Sequence, residues 1–176
     1  YRNLMDTDML VAGPSGAGYV IPPLVPNLPK YMAESARLCD AADIRITTSY
    51  TSNPPRRVIR DHARVRGNFL GYIAGYFHLN HTPMTTAGNR PFVSYAWPHV
   101  SQIGWNADEV LDGIRKLIEP PGKTPRFIAC HLFAYCTTVA DVYEFVQTLD
   151  PQKIKVVRAD EFLLAAQKFM EKENKQ

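Results

Sequence analysis

Strand-like segments alternate with helix-like segments along almost the whole chain, and this alternation restricts the fold more than any other feature. β-Branched and apolar runs predict strands at residues 9–12, 44–48, 69–73, 91–95, 126–130 and 154–157. Apolar residues at helical spacing predict helices at residues 28–39, 56–65, 107–118, 139–149 and 160–171. Alternation of strands with helices favours parallel strands joined by right-handed crossovers. The sequence therefore predicts an α/β fold built on a parallel sheet.

The length of the chain bears on how such a sheet would close. A complete (β/α) barrel has eight strands in about 250 residues, whereas this chain has 176 residues. The chain falls short of that length, and because it begins at Tyr1 and not at Met, we expect a parallel (β/α) barrel-like domain, the C-terminal portion of an incomplete TIM-type barrel, over residues 1–170, with a frayed tail at 171–176. The upstream part of the same chain, or a partner subunit, would complete the barrel. An open doubly wound sheet is the alternative.

Composition excludes several classes of function. The net charge is only +3, with both signs scattered along the chain, and no basic stripe is interleaved with aromatic residues, so we expect no nucleic-acid partner. No apolar run has the length of a membrane span. The three cysteines do not form a disulfide framework. No cofactor motif is present, and we expect no cofactor.

A glycine-rich loop at residues 13–23 follows the first predicted strand. Glycine allows positive φ angles and close backbone approach, and α/β proteins bind ligands where their strands end. The loop lacks the Gly-Lys-Ser/Thr ending of a phosphate loop and the spacing of a dinucleotide fingerprint. We predict that it binds substrate through Ser15, Gly16, Gly18 and Tyr19. A ligand-free turn is the alternative interpretation.

The segments after the other predicted strands are rich in Tyr, Trp, His and Asn. Flat amphipathic rings together with amides and hydroxyls suit the faces and hydroxyls of sugars. Tyr50, Asn53 and Trp97 are therefore further candidates for substrate binding. His131 is the candidate catalytic residue, because imidazole exchanges protons near neutral pH. The alternative for His131 is a structural histidine.

Two further histidines raise the question of a metal site. His78 and His81 have H-x-x-H spacing, and His99 and His131 could share the same rim. The segment reads as a loop without an adjacent acidic partner, so we predict no metal. Asn80 begins an Asn-His-Thr sequon, which predicts a glycosylation site if the protein is secreted.

A family resemblance is carried by residues 16–22, Gly-Ala-Gly-Tyr-Val-Ile-Pro. They resemble the signature of the GxGYxYP putative glycoside hydrolase family, with Ile21 in place of the second tyrosine. Residues 127–131, 137–142 and 155–162 are similar to the family's late strands and helices. The resemblance covers most of the chain. It implies a barrel-like α/β domain, a carbohydrate ligand, and a secreted or extracellular location.

Glycoside hydrolysis by the usual mechanism needs two carboxylates that flank the scissile bond. None of the first five predicted strands ends in Asp or Glu. A glycoside hydrolase built on this chain would therefore need carboxylates from upstream sequence, or an unusual mechanism. The rival hypothesis is a non-catalytic structural domain, or a carbohydrate-binding or adhesion domain of a secreted assembly.

Overall fold

Helices and short strands make up most of the computed structural model, which describes residues 8–51, 54–75, 84–94, 107–118, 125–130, 132 and 137–174. The helices are α1 (Leu28–Ala41), α2 (Arg56–Ala63), α3 (Ala107–Ile118), α4 (Val139–Gln147) and α5 (Ala159–Glu173), with a short 3-10 helix at Pro22–Leu24. The strands are β1 (Ile46–Ser49), β2 (Gly71–Ala74), β3 (Met84–Ala87) and β4 (Arg90–Ser94). All five predicted helices are confirmed, with ends shifted by two residues or fewer.

The four strands form one sheet in the order β1-β2-β4-β3. Strands β1, β2 and β4 are parallel, and their last residues are in register, with Ser49 opposite Ala74 and Ala74 opposite Ser94. We call the end of the sheet at these three residues the carboxyl end, and the opposite end the amino end. The parallel arrangement brings the segments that leave β1, β2 and β4 to the same place.

Strand β3 departs from the predicted all-parallel sheet. It pairs antiparallel with β4 through a tight hairpin, in which Ala87 is opposite Arg90. Gly88 takes a φ of 68° in the turn, a conformation that two-residue hairpins require and glycine supplies. No strand was predicted between residues 73 and 91, because a four-residue strand with two threonines carries little apolar signal.

Three other predicted strands do not form ladders in the described residues. From residues 9–12, only Ala12 pairs, through a single parallel bridge to Thr47. Residues 126–129 and 154–157 have no strand assignment, and Cys130 makes one isolated bridge. The described strands therefore form an open, mostly parallel sheet in a mixed α/β fold, and closure into a barrel is not confirmed.

The sheet is covered on both faces. Leu28 and Met32 of α1 and Val58 of α2 pack with Tyr72 and Phe92 on one face. Leu163 and Ala166 of α5 pack with Ile46 and Val93 on the other. This sandwich fixes the positions of the strand ends, and therefore of the candidate site.

Helices α3 and α4 belong to a separate, smaller cluster. Val110 and Ile114 are its buried residues, and Phe145 packs against them. The Arg115 guanidinium lies over the Phe145 ring, 5.1 Å from its centroid. A capping box begins α4, in which Thr138 and Asp141 exchange hydrogen bonds. No residue of α4 is buried.

Candidate functional site

The glycine-rich loop lies against the carboxyl end of β1. The chain enters it beside that strand, where the Ala12 amide donates to the Ile46 carbonyl at 2.9 Å. The Ser15 amide then donates to the Thr48 carbonyl at 2.7 Å. These backbone bonds place the start of the loop beside the carboxyl end of β1.

Two successive residues of the loop have left-handed backbone conformations. Ser15 has a φ of 70° and Gly16 a φ of 88°. Gly16 is required for a second reason, because a Cβ at this position would lie 2.7 Å from the Cβ of Ser35. A left-handed conformation at a residue with a side chain is strained, and such strain clusters at functional sites.

The Ser15 side chain holds this conformation in place. Its hydroxyl donates to the Val20 carbonyl at 2.7 Å, which closes the loop on itself. The same oxygen accepts a hydrogen bond of 3.1 Å from the Tyr50 amide. Ser15 is almost completely buried, with 1% of its surface exposed. It therefore joins the loop to the end of β1 instead of presenting its hydroxyl to solvent.

Helix α1 supplies two more anchors that the sequence did not reveal. The Ser35 hydroxyl accepts a hydrogen bond of 3.0 Å from the Ala17 amide. The Tyr31 hydroxyl donates to the Gly18 carbonyl at 2.8 Å, and partial burial raises the pKa of Tyr31. The only available signal was two polar groups, Tyr31 and Ser35, on the inward face of a predicted helix. That pattern locates the face but not the contact.

Two tyrosine rings meet at the outer side of the loop. The ring centroids of Tyr19 and Tyr50 are 4.9 Å apart, with their planes tilted by 54°. Tyr50 is 9% exposed and Tyr19 is 66% exposed. Tyr50 is therefore the buried support of the pair, and the ring of Tyr19 is exposed. Ile21 and Leu24, which follow in the chain, are exposed as well.

Small hydroxyl residues lie at the carboxyl end of the strands. Ser49, Thr51 and Ser94 are all buried. The Ser49 carbonyl accepts from the amides of Thr51 at 2.8 Å and Gly75 at 3.0 Å. The Ser49 hydroxyl has no hydrogen-bond partner among the described residues. A buried hydroxyl without a partner is uncommon, and it marks this end of the sheet as polar and incompletely satisfied.

The structure brings together five of the residues predicted for substrate binding. Ser15, Gly16, Gly18 and Tyr19 lie in the loop, and Tyr50 packs on Tyr19. The other predicted site residues lie outside the described residues; they are Asn53, Asn80, Trp97 and His131, together with His78, His81 and His99 of the metal alternative. In the described ranges, no three His, Cys, Asp or Glu side chains are grouped to hold a metal ion.

Other titratable groups in the described residues do not suggest a nucleophile. Burial raises the pKa of the Cys130 thiol to about 11, so the thiol is protonated at neutral pH and unreactive. His62 is buried against the rings of Tyr72 and Phe92. Burial lowers its pKa to about 4, and its Nδ1 donates to the Val58 carbonyl at 2.8 Å. Both groups are structural.

The described residues thus form a mixed α/β fold. A glycine-rich loop and a tyrosine pair lie at one end of its mostly parallel sheet. Residues 1–167 match the model of the GxGYxYP putative glycoside hydrolase C-terminal domain. The chain belongs to this family, which confirms the resemblance seen at residues 16–22. No curated protein and no solved structure matches the chain. The family's name indicates a glycoside hydrolase domain, and therefore a carbohydrate ligand.

None of the helices that the structure describes is long and apolar enough to cross a membrane.

Proposed function

We propose that this domain is carbohydrate-active and holds a glycan at the glycine-rich loop and the aromatic residues beside it. The observation that carries the proposal is the Tyr19–Tyr50 pair, in which an exposed ring is supported by a buried one. Apolar C–H faces of a sugar ring can pack on Tyr19, because aromatic side chains combine a large apolar surface with a polar edge. Family membership supplies independent support for a carbohydrate ligand.

Hydrogen bonds within the protein preorganise the backbone of the glycine-rich loop. Ser35 and Tyr31 hold the backbone of Ala17 and Gly18, and Ser15 ties the loop to the amide of Tyr50. Binding to a preorganised loop loses little conformational entropy, which increases affinity. Tyr19 follows directly after these anchored residues, so the position of its backbone is constrained.

Hydrolysis within this proposal depends on groups beyond the described strand ends. The last residues of β1, β2 and β4 are Ser49, Ala74 and Ser94, none of them acidic. His131 is our candidate for proton transfer, and a carboxylate pair would come from upstream sequence. The second candidate function, a carbohydrate-binding or structural domain without catalysis, is favoured by this absence of carboxylates at the strand ends.

The proposal also covers the location of the protein and the completion of its sheet. The sequon at Asn80 supports a secreted glycoprotein. The outer side of β1 pairs only through Ala12 among the described residues. This supports a larger, barrel-like sheet completed by upstream sequence or by a partner subunit.

A glycan-binding measurement on the complete polypeptide tests the proposal. For any oligosaccharide that the unmodified protein binds, Tyr19→Ala should weaken the affinity about tenfold or more, as expected for an exposed aromatic anchor. Tyr143→Ala is the matched control, because Tyr143 on α4 has the same exposed fraction of 66%. Equal affinity of the Tyr19→Ala variant and the unmodified protein would refute a site at this loop.

A further inference from the structure

Arginines are concentrated on α2 and in the segment that follows it. Residues 54–68 contain five arginines, no lysine and a single carboxylate, which belongs to Asp61. Asp61 is buried, with 4% of its surface exposed. The five arginines are all exposed; they are Arg56, Arg57, Arg60, Arg64 and Arg66. This surface therefore carries strong local positive charge in a chain whose net charge is only +3.

Three of these arginines follow one side of the helix. Arg56 and Arg60 are four residues apart in α2, and Arg64 caps its C-terminus with a helical backbone conformation. Residues at this spacing are neighbours on a helix surface, so the three define a row about 12 Å long. We call this row the α2 basic face. Like charges at this spacing oppose helix formation, so the row does not stabilise the helix that carries it.

The α2 basic face lacks the exposed carboxylate partners that other helices provide. On α1, for comparison, Arg37 pairs with the exposed carboxylate of Glu34 at 2.6 Å. Arg60 on α2 lies 3.6 Å from a carboxylate that is itself buried. Within the described part of the chain, Arg56 and Arg64 form no ion pair. Both guanidinium groups are therefore available to an external anion.

A hydrogen bond joins α2 to the glycine-rich loop. The guanidinium of Arg57 donates to the carbonyl of Pro23, at the end of the loop, at 2.7 Å. Pro23 is four residues from Tyr19, a separation of about 14 Å at most along an extended chain. Arg56, the first residue of the α2 basic face, directly precedes Arg57. An oligosaccharide that packs on Tyr19 therefore needs only a short extension to reach the first turn of α2.

The chemistry of this surface favours a hydrophilic anionic polymer as its ligand. Guanidinium groups bind carboxylates and tetrahedral oxyanions through paired hydrogen bonds. Apart from the arginines, only Pro55 and Asn68 are exposed in residues 54–68. The surface therefore has no exposed aromatic ring on which a nucleic-acid base could stack. It also has no exposed leucine, tryptophan or phenylalanine of the kind that inserts into a membrane surface.

We propose that the glycan held at the glycine-rich loop is anionic, and that its carboxylate or sulfate groups bind the α2 basic face. The inference rests on the proposed function. Sugar rings pack on Tyr19, while the acidic groups bind the guanidinium groups of Arg56 and Arg64. A carboxylate pair for hydrolysis would act at the strand ends, whereas α2 packs on a face of the sheet. The negative charges of the ligand and of such a pair therefore occupy different places.

The test compares oligosaccharides that share a backbone and differ in charge, each with the complete polypeptide. The acidic probes are galacturonan, alginate and sulfated chondroitin oligosaccharides. The neutral probes are the same backbones after desulfation and methyl esterification of their carboxylates. We expect the tightest acidic probe to bind about tenfold or more tightly than its neutral form. Its affinity should fall about tenfold or more between about 50 mM and about 500 mM salt, because salt screens exposed charges.

Two double variants locate the charge that binds the acidic probe. Arg56→Gln combined with Arg64→Gln removes two guanidinium groups that have no ion pair among the described residues, so the variant should fold normally. It should bind the acidic probe about tenfold more weakly. The matched control combines Lys168→Gln with Lys172→Gln, which removes two exposed cations from α5. Helix α5 packs on the other face of the sheet, so this control should change the affinity less than about twofold.

Other outcomes overturn the inference in distinguishable ways. Neutral probes that bind as tightly as their acidic forms, and lose affinity in Tyr19→Ala, would overturn it and leave the proposed function intact. Equal affinities of the two double variants would overturn it as well, since the charge would then have no defined position. Tighter binding of duplex DNA or of phosphatidylserine vesicles than of every acidic probe would replace the glycan with another anionic partner. Failure of the folded protein to bind any oligosaccharide would remove the proposed function and the inference with it.

Discussion

The two ends of the sheet are built from different chemistry. At the amino end, the Arg90 guanidinium donates three hydrogen bonds of 3.0 Å each. The acceptors are the carbonyls of Val65, Gly67 and Phe69 in the segment between α2 and β2. Asp40 of α1 accepts from the Asn68 amide of the same segment at 3.0 Å. At the carboxyl end, the hydrogen bonds given above for Ser15 and for the Ser49 carbonyl are made by hydroxyls and backbone groups.

This difference separates stability from ligand binding. In parallel α/β folds, side chains at the amino end of the strands usually serve stability, and those at the carboxyl end serve function. Charged hydrogen bonds at the amino end satisfy loop carbonyls that would otherwise be buried without partners. The carboxyl end has strained backbone at Ser15 and an unsatisfied hydroxyl at Ser49 among the described residues. Mutations at the two ends should therefore have separable effects.

The largest expected effect is at Arg90. Arg90→Met keeps much of the side-chain volume but removes three hydrogen bonds to carbonyls, so it should lower the free energy of unfolding by about 3–5 kcal/mol. Chemical denaturation measures this change. Glycan affinity of the remaining folded protein should stay unchanged, because Arg90 lies at the amino end.

A matched control uses another arginine that is paired on the surface. Arg37 of α1 forms an exposed ion pair of 2.6 Å with Glu34, and Arg37→Met should alter stability little. If Arg90→Met were as stable as Arg37→Met, or if it weakened glycan binding in folded protein, the division between the two ends would be wrong.

The next largest effect is expected from the buried imidazole of His62. Its pKa falls from 6.5 to about 4 because burial disfavours the charged form. Below about pH 6.5 the imidazole of His62 is protonated in the unfolded chain, whereas in the folded chain it becomes protonated only near pH 4. Stability is therefore complete above 6.5 and should fall by about 3 kcal/mol across this window, then level off.

Comparison with His62→Gln isolates this contribution from the carboxylates that titrate at lower pH. Glutamine can still donate to the Val58 carbonyl, which accepts from His62 Nδ1 at 2.8 Å, but it has no proton to gain. The variant should be less stable at pH 7, and the difference from the unmodified protein should shrink as the pH falls toward 4. A difference that stays constant from pH 7 to 4 would show that His62 titrates normally in the fold.

Local sequence signals were sufficient to predict elements whose conformation depends mainly on their own residues. Helix α3 has the predicted bounds, residues 107–118, because its apolar face repeats at helical spacing and needs no distant partner to be recognised. The glycine-rich loop was also recognisable from the sequence, because glycine adopts a positive φ, such as that of Gly16, without strain.

Elements that depend on a distant partner were predicted less well. Residues 154–157 are β-branched and strand-like, yet Val156 is 57% exposed and the segment joins no ladder in the described residues. Met84–Ala87 has a weaker pattern but pairs with β4. Strand propensity measures fit to a sheet surface and does not choose the partner. Counting such segments as strands produced the expectation of a barrel.

In the candidate site, too, contacts between distant parts of the chain could not be predicted from the sequence. Tyr19 and Tyr50 were selected separately from their positions after two predicted strands, and their contact at 4.9 Å follows from the parallel register. The hydrogen bonds from α1 through Tyr31 and Ser35 depend on how a helix packs against a loop. No periodicity in the sequence encodes that arrangement, so these residues emerged only from the structure.

Two glycines of the same loop provide the finest test of the comparison between the ends of the sheet. Gly16 has a φ of 88°, and an added Cβ would meet the Ser35 Cβ at 2.7 Å. Gly16→Ala should therefore destabilise the protein by about 2 kcal/mol, through backbone strain and overpacking. An added Cβ at Gly13 meets nothing within 4 Å, so Gly13→Ala should leave stability nearly unchanged.

Glycan affinity should separate the same two variants. Because Gly16→Ala pushes the loop away from α1, it displaces the backbone that leads to Tyr19, and binding by folded protein should weaken together with stability. Gly13→Ala should retain both. This coupled loss distinguishes the carboxyl end from the amino end, where Arg90→Met should lower stability alone. Normal binding by folded Gly16→Ala protein would mean that the loop's anchors to α1 serve the fold and not the ligand.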